Sequence, residues 1–388
     1  MGNPNKLFPD YAWVGESQLT YITAVCIGFV SATFSVVGCT VVLVCIWKQK
    51  SYQQSMYHRL VLGLAIADLV STISIVTAPF LIPRATGLYF AQGTIATCEA
   101  SGFFLLFTSM SYMFNAELSL YFLLMIRYNW SRSRMRKVLE PTVYILPVLL
   151  PLLTGIGSLQ LDAINVDSIL GLCDIGPYPP RCHQNPTVDC ERGEQFVITM
   201  WPYMGFLAIF VVAGYLATWL VFWTVLQQQR KSRRHAFHPT AVSSSASQTQ
   251  RHWDLAIQSV LYTAAFFLGS TIVLLPFTAN LPPPEGRRTG PMATLLILGF
   301  AVHPLAGFLN CCIYLRLRVR SWREADDQQR SLLWAVRQSI VAGYSPASHW
   351  SAAHRSTTNP ALAPSAGFTQ PPTIATTDGA PPDHSSSV

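Results

Sequence analysis

The chain has 388 residues, of which 51% are hydrophobic and only 12% charged, and its formal net charge is +7. Soluble domains average about 25% charged residues, so this composition excludes an ordinary soluble domain and marks an integral membrane protein. The positive excess does not indicate a nucleic-acid partner, because Lys and Arg collect in short segments between apolar runs, where positive-inside sorting accounts for them.

In chain order, residues 1–18 are polar and lack the basic start and small-residue exit of a cleavable signal. The run over about 19–47 is too long for a signal core and is followed by Lys48, Lys50 and Arg59, so it is expected to be an uncleaved first span with the amino terminus outside. A helix rising about 1.5 Å per residue needs roughly 20 apolar residues to cross about 30 Å of hydrocarbon. Further runs of that kind cover about 60–82, 98–126, 138–161, 196–226, 253–279 and 291–314, which makes seven. Seventeen Lys and Arg then fall in the segments on one side and six on the other, which places the carboxy terminus in the cytosol. The expected fold is an all-α, seven-transmembrane helix bundle over 19–315. The third run carries Ser109, Ser111, Asn115, Glu117 and Ser119, too many polar groups for a helix facing lipid all round, and is expected to stand at the centre.

The nine cysteines divide by position. Cys26, Cys39, Cys45, Cys311 and Cys312 lie within runs, where free cysteine is a small packing residue. Cys98, Cys173, Cys182 and Cys190 lie in the oxidising compartment; four cysteines allow three pairings, and spacing does not choose among them. The pairing expected here is Cys98 with Cys173, tying the third span to the long outer loop, and Cys182 with Cys190, closing a subloop. Zinc is the competing reading, with His183 nearby, but a paired CxxC is missing and no metal is expected.

Each ionisable residue within a span costs about 2.5–3.5 kcal/mol at mid-bilayer on insertion scales, which singles out Asp68, Glu117 and His303. Asp68 stands among small residues in Leu64-Ala65-Ile66-Ala67-Asp68-Leu69, either as a polar clamp between close helices or as a group that changes partners between two packings. His303 directly precedes Pro304, whose ring frees a carbonyl and makes a hinge. The seventh run ends Pro304-Leu305-Ala306-Gly307-Phe308-Leu309-Asn310-Cys311-Cys312-Ile313-Tyr314. Leu315, Val319 and Trp322 then alternate with Arg316, Arg320 and Arg323 at helical spacing. Residues 316–344 are thus expected to form an amphipathic cytoplasmic helix region lying along the membrane surface.

On these residues the chain resembles seven-transmembrane G-protein-coupled receptors. Leu64 to Leu69 resembles the second-helix LAxAD pattern. Asn310 to Tyr314 resembles the seventh-helix NPxxY pattern with cysteine in place of proline, and the amphipathic segment resembles the family's eighth helix. The stretch from Pro304 to Asn310 is similar to the ending seen in slime-mould cAMP receptors, fungal glucose-sensing receptors and related secretin-like branches, of the divergent type found in protists. The likeness covers about 19–323. It implies a receptor that binds an extracellular ligand and signals to a heterotrimeric G protein, with Asp68, Asn310 and Tyr314 as a switch cluster and Arg127, Tyr128 and Arg251 facing the G protein. Departures are also plain: Leu123 stands where an acidic-Arg-Tyr triplet is usual, Cys39 replaces the first-helix asparagine, and the sixth span has no CWxP.

Other classes fit less well. A seven-span zinc hydrolase needs several histidines in its spans, and retinal needs a lysine there, whereas Lys6, Lys48, Lys50, Lys137 and Lys231 lie outside them; neither an enzyme nor a cofactor is expected. A proton- or ion-coupled transporter using Asp68 and Glu117 is the alternative. Residues 227–251 read as a basic, Ser-containing loop, and 345–388, rich in Pro, Ser and Thr, as a disordered tail.

Overall fold

A computed structural model describes residues 18–48, 55–166, 171–179, 182, 189–235, 253–266, 290–325 and 331–343. These residues are mostly helical, because in hydrocarbon every backbone N–H and C=O must find its partner within the chain and a helix supplies it locally. Helix α1 spans Gln18–Lys48, α2 Met56–Leu81, α3 Ile95–Leu106, α4 Ser109–Ile126, α5 Arg132–Gln160 and α6 Val197–His235. After these come α7 over 253–266, α8 at Gly290–Val302, α9 at Ala306–Glu324 and α10 at Leu332–Val341. Among the described residues, five stretches are long and apolar enough to cross a membrane: Tyr21–Lys48, Met56–Leu81, Ser133–Gln160, Val197–Arg230 and Ile297–Glu324. This is the make-up of a multi-pass helical membrane protein. The part of the expected sixth span beyond residue 266, Arg251, residues 1–17 and the tail over 345–388 lie outside the described residues.

The expected third span is not one helix. It breaks at Phe107 and Thr108, where hydrogen bonds tighten to the third residue back: the amides of Phe107, Thr108, Met110 and Ser111 bond to the carbonyls of Phe104, Leu105, Phe107 and Thr108. Hydroxyls stand ready to satisfy the groups so released, which is how a broken helix survives in an apolar setting. A second break, a 3-10 turn at His303–Leu305, separates α8 from α9 at Pro304.

Helix α4 is enclosed, with Met113, Asn115, Glu117, Leu118, Ser119 and Phe122 all buried among α2, α5 and α6. By contrast α5 and α6 turn Ile145, Leu153, Ile209 and Trp219 outward, as lipid-facing helices do. Helix α1 packs on α2, α8 and α9. Its approach to α9 depends on Gly38, where an added Cβ would stand 2.7 Å from Cα of Phe308.

At the end that carries the cysteine pairs, a short antiparallel hairpin of β1 (Ile164–Val166) and β2 (Cys173–Ile175) lies over α3. Reading for apolar runs missed it, because three-residue strands show no usable period.

At the opposite, basic end, the amphipathic helix expected to begin at 316 is not a separate element. Helix α9 runs unbroken from Ala306 through Tyr314 to Glu324, and Arg318 is buried rather than lying on a surface. The chain then folds back as α10, whose backbone at Ile340 meets Cys45 of α1, while Trp322 donates its Nε1 to the carbonyl of Gly343 at 2.7 Å.

Candidate functional site

The polar residues of α4 recur nearly every fourth position, so Ser111, Asn115 and Ser119 form one stripe down the helix, with Thr108 above it at the break. Each level of the stripe meets a different neighbour. At the break, the Leu106 carbonyl accepts from the Ser109 hydroxyl at 2.8 Å and from the Tyr203 hydroxyl of α6 at 3.0 Å. Beside it, Ser71 of α2 donates to Thr108 at 3.3 Å.

One turn further down lies Asp68. Its Oδ1 accepts from Ser111 of α4 at 2.5 Å and its Oδ2 from Nδ2 of Asn310 of α9 at 2.7 Å, so a single carboxylate joins α2, α4 and α9. Thr72 donates to Ser35 at 3.2 Å and extends the polar contacts to α1. Asp68, Tyr112, His303 and Asn310 line a cavity of about 20 Å³, room for roughly one water. The His303 and Tyr112 rings stand 6.2 Å apart, which brings the helix break at Pro304 close to the one at Phe107.

The third residue expected in the switch cluster is Tyr314. It lies about one turn nearer the basic end, where the buried Arg318 covers its ring at 4.4 Å and donates to its hydroxyl, and where its ring meets His58 edge-on. Tyr314 is four residues beyond Asn310 on the same helix, so it faces nearly the same way about one turn lower.

Two further polar knots join helices that the sequence did not connect. Ser119 of α4, Thr218 of α6 and Thr263 of α7 share hydroxyl contacts of 2.6 to 3.2 Å. At the basic end Gln258 of α7 donates to the Tyr57 hydroxyl of α2 at 2.6 Å, and Arg320 of α9 donates to the Asp254 carboxylate of α7 at 2.9 Å. Helix α7 is thereby held on two sides. Asp254, at the start of the sixth apolar run, was the signal available for this pair; Thr218 and Thr263 were lone hydroxyls with nothing to mark them.

Arg127 donates to Thr224 of α6 at 3.2 Å and is exposed at its end of α4, and Tyr128 is exposed beside it. Glu117 is buried on α4, and among the described residues its Oε2 meets no hydrogen-bond partner.

At the cysteine-bearing end, Cys98 is joined to Cys173 and Cys182 to Cys190. The first bond fastens β2 to α3. Arg192 pairs with Glu99 of α3 and, at 3.1 Å, with Asp162, so the loop before α6 is fixed to the same cap. Burial, with Glu191 adding to it, pushes the Tyr178 phenol up to about 12. Among the described residues, no group of three or more His, Cys, Asp or Glu side chains comes together as a metal-ligand set.

No protein-family model matches the chain, and no curated protein matches it at a significant level.

Proposed function

We propose that this protein is a seven-span receptor of the G-protein-coupled type, in which a ligand bound at the cysteine-bearing end shifts the packing of α7 and α9 at the basic end. In this reading α3 with α4 forms the third span, α7 begins the sixth and α8 with α9 forms the seventh. The observation that carries it is the Asp68 carboxylate bonded at once to Ser111 and Asn310, a single charge on which three helices depend. Such a group favours whichever packing supplies its donors, so two packings with different donors form a two-state element that a distant ligand can bias. The Asp254–Arg320 and Gln258–Tyr57 contacts hold α7 against α9 and α2, as a resting state would. Moving α7 away opens a groove for the carboxy-terminal helix of a G-protein α subunit beside Arg127 and Tyr128.

A second reading, coupled transport, is favoured by one observation. Two broken helices meet near a buried carboxylate, at Tyr112 and His303, and broken helices around a mid-membrane site are the mark of secondary transporters. The test is nucleotide exchange on purified heterotrimeric G proteins, with the protein in lipid nanodiscs and a panel of small metabolites, run beside uptake into proteoliposomes under a proton gradient. Ligand-dependent exchange without uptake supports the receptor. Uptake abolished by Glu117→Gln, with no exchange on any G protein, supports the transporter and removes the receptor reading.

A further inference from the structure

A cavity of about 780 Å³ runs between α1, α9 and α10, within the range of roughly 300–1,000 Å³ usual for ligand sites. Its walls are Val37 and Val41 of α1, Phe308 and Leu315 of α9, and Val336 and Ile340 of α10. Its lower rim is cationic, formed by Arg316, Arg320 and Arg323, with Glu324 the one acid among the lining residues. Arg320 is already engaged by Asp254 and by Glu324, which it reaches at 2.6 Å. The other two guanidiniums have no acidic partner among the described residues, and Nη1 of Arg316 is buried without a hydrogen bond. An apolar slot ending in unpaired guanidiniums is complementary to an acyl chain that ends in a phosphate.

The dimensions fit that occupant. From Phe308 to Arg320 the helix rises about 18 Å at 1.5 Å per residue. Half of a bilayer's hydrocarbon is about 15 Å. Trp47 is exposed at the end of α1 and is followed by Lys48, an aromatic and a cation of the kind that sit at the membrane interface, on the same helix as the slot's apolar wall. The arginines therefore stand near headgroup depth and Phe308 near the middle of the membrane.

We propose that this groove is a binding site for one anionic phospholipid, its acyl chain against Val41, Phe308 and Leu315 and its phosphate between Arg316 and Arg323. The site is separate from the Asp68 cluster and does not depend on the receptor reading. It touches the resting contacts at one point, since Arg320 borders the groove and also holds Asp254 on α7.

The test uses the full chain purified in detergent, with phosphatidylglycerol or phosphatidylcholine added and bound lipid counted by native mass spectrometry. A basic residue at a membrane surface is worth roughly fivefold in affinity for anionic lipid, so two give a preference of about 25-fold for phosphatidylglycerol. Arg316→Gln with Arg323→Gln should reduce that preference to near unity while phosphatidylcholine binding persists. Should that variant fold poorly, Cys312→Trp, which fills the groove from an exposed position, should remove the tightly held lipid with both arginines intact. Equal retention of the two lipids by the unaltered chain would overturn the proposal. So would displacement of the lipid by millimolar inorganic phosphate, which would mark a free-anion site instead.

Discussion

Asp254 and Arg320 form an ion pair of 2.9 Å whose two ends differ in surroundings: the carboxylate side chain is 2% exposed and the guanidinium 44%. Losing the arginine strands a buried charge, whereas losing the acid frees an arginine that already reaches solvent. Arg320→Ala should therefore destabilise the protein by about 3 kcal/mol, as breaking a buried pair does. Asp254→Ala should cost about 1 kcal/mol, nearer the exposed-pair value. Thermal unfolding of the purified variants in detergent measures both, and equal losses would show that the pair is not lopsided in this way. Under the receptor reading Asp254→Asn also raises basal nucleotide exchange several-fold, because α7 loses one of the contacts that hold it at the basic end.

The Asp68 and Asn310 side chains should tolerate exchange. Asn310→Asp alone sets two carboxylates against each other and is expected to abolish folded expression. Asp68→Asn together with Asn310→Asp restores one donor facing one acceptor, and Ser111 can still donate to the amide oxygen at position 68. The double variant should recover most of the lost stability, with a coupling of about 0.5–3 kcal/mol. Asp68→Asn alone should express normally, since the Ser111 hydroxyl can turn to accept, yet shift the response to ligand five- to hundred-fold, the span of typical coupling energies of about 1–3 kcal/mol. A wild-type dose response would place the switch elsewhere.

The two disulfides close loops of very different length, 75 and 8 residues of separation. On the chain-entropy account, removal of Cys98–Cys173 should cost about 4.5 kcal/mol and removal of Cys182–Cys190 about 2.5 kcal/mol. Melting of Cys98→Ala/Cys173→Ala against Cys182→Ala/Cys190→Ala measures the difference; a larger loss from the short loop would contradict the ranking.

The break between α3 and α4 rests on the Leu106 carbonyl, which has two hydroxyl donors in place of a helical amide. Tyr203→Phe removes one and should cost about 0.5–1.5 kcal/mol. Adding Ser109→Ala strands the carbonyl, so the double variant should lose more than the two single losses together. Strict additivity in thermal unfolding would mean that the carbonyl finds another donor and that the hydroxyls do not act together.

Much of this molecule is legible in the order of its residues. Apolar runs of about 20 residues become helices because hydrocarbon offers backbone groups no other partner. The same penalty marks Ser111, Asn115, Glu117 and Ser119 as inward-facing before any contact is known, and the structure buries all four. It also singles out Asp68 as a residue in need of partners, and its spacing from the helix ends places it deep in the bundle.

Which partners those groups meet was decided only by packing. Asn310 donates to Asp68 while Tyr314, four residues on, accepts from Arg318, because reach across a helix interface is set by height along the axes, and sequence spacing on one helix says nothing of its register against another. The break at Phe107 has no proline to announce it; it persists because Ser109 and a tyrosine 97 residues away satisfy the carbonyl it releases. Arg318, within the stretch expected to lie along the membrane surface, is buried because α9 continues unbroken and sets it over Tyr314. Local chemistry thus determines which residues must be satisfied, and the tertiary structure determines by whom, since a hydrogen bond is made or lost over less than 1 Å, a distance that only the docking of whole helices sets.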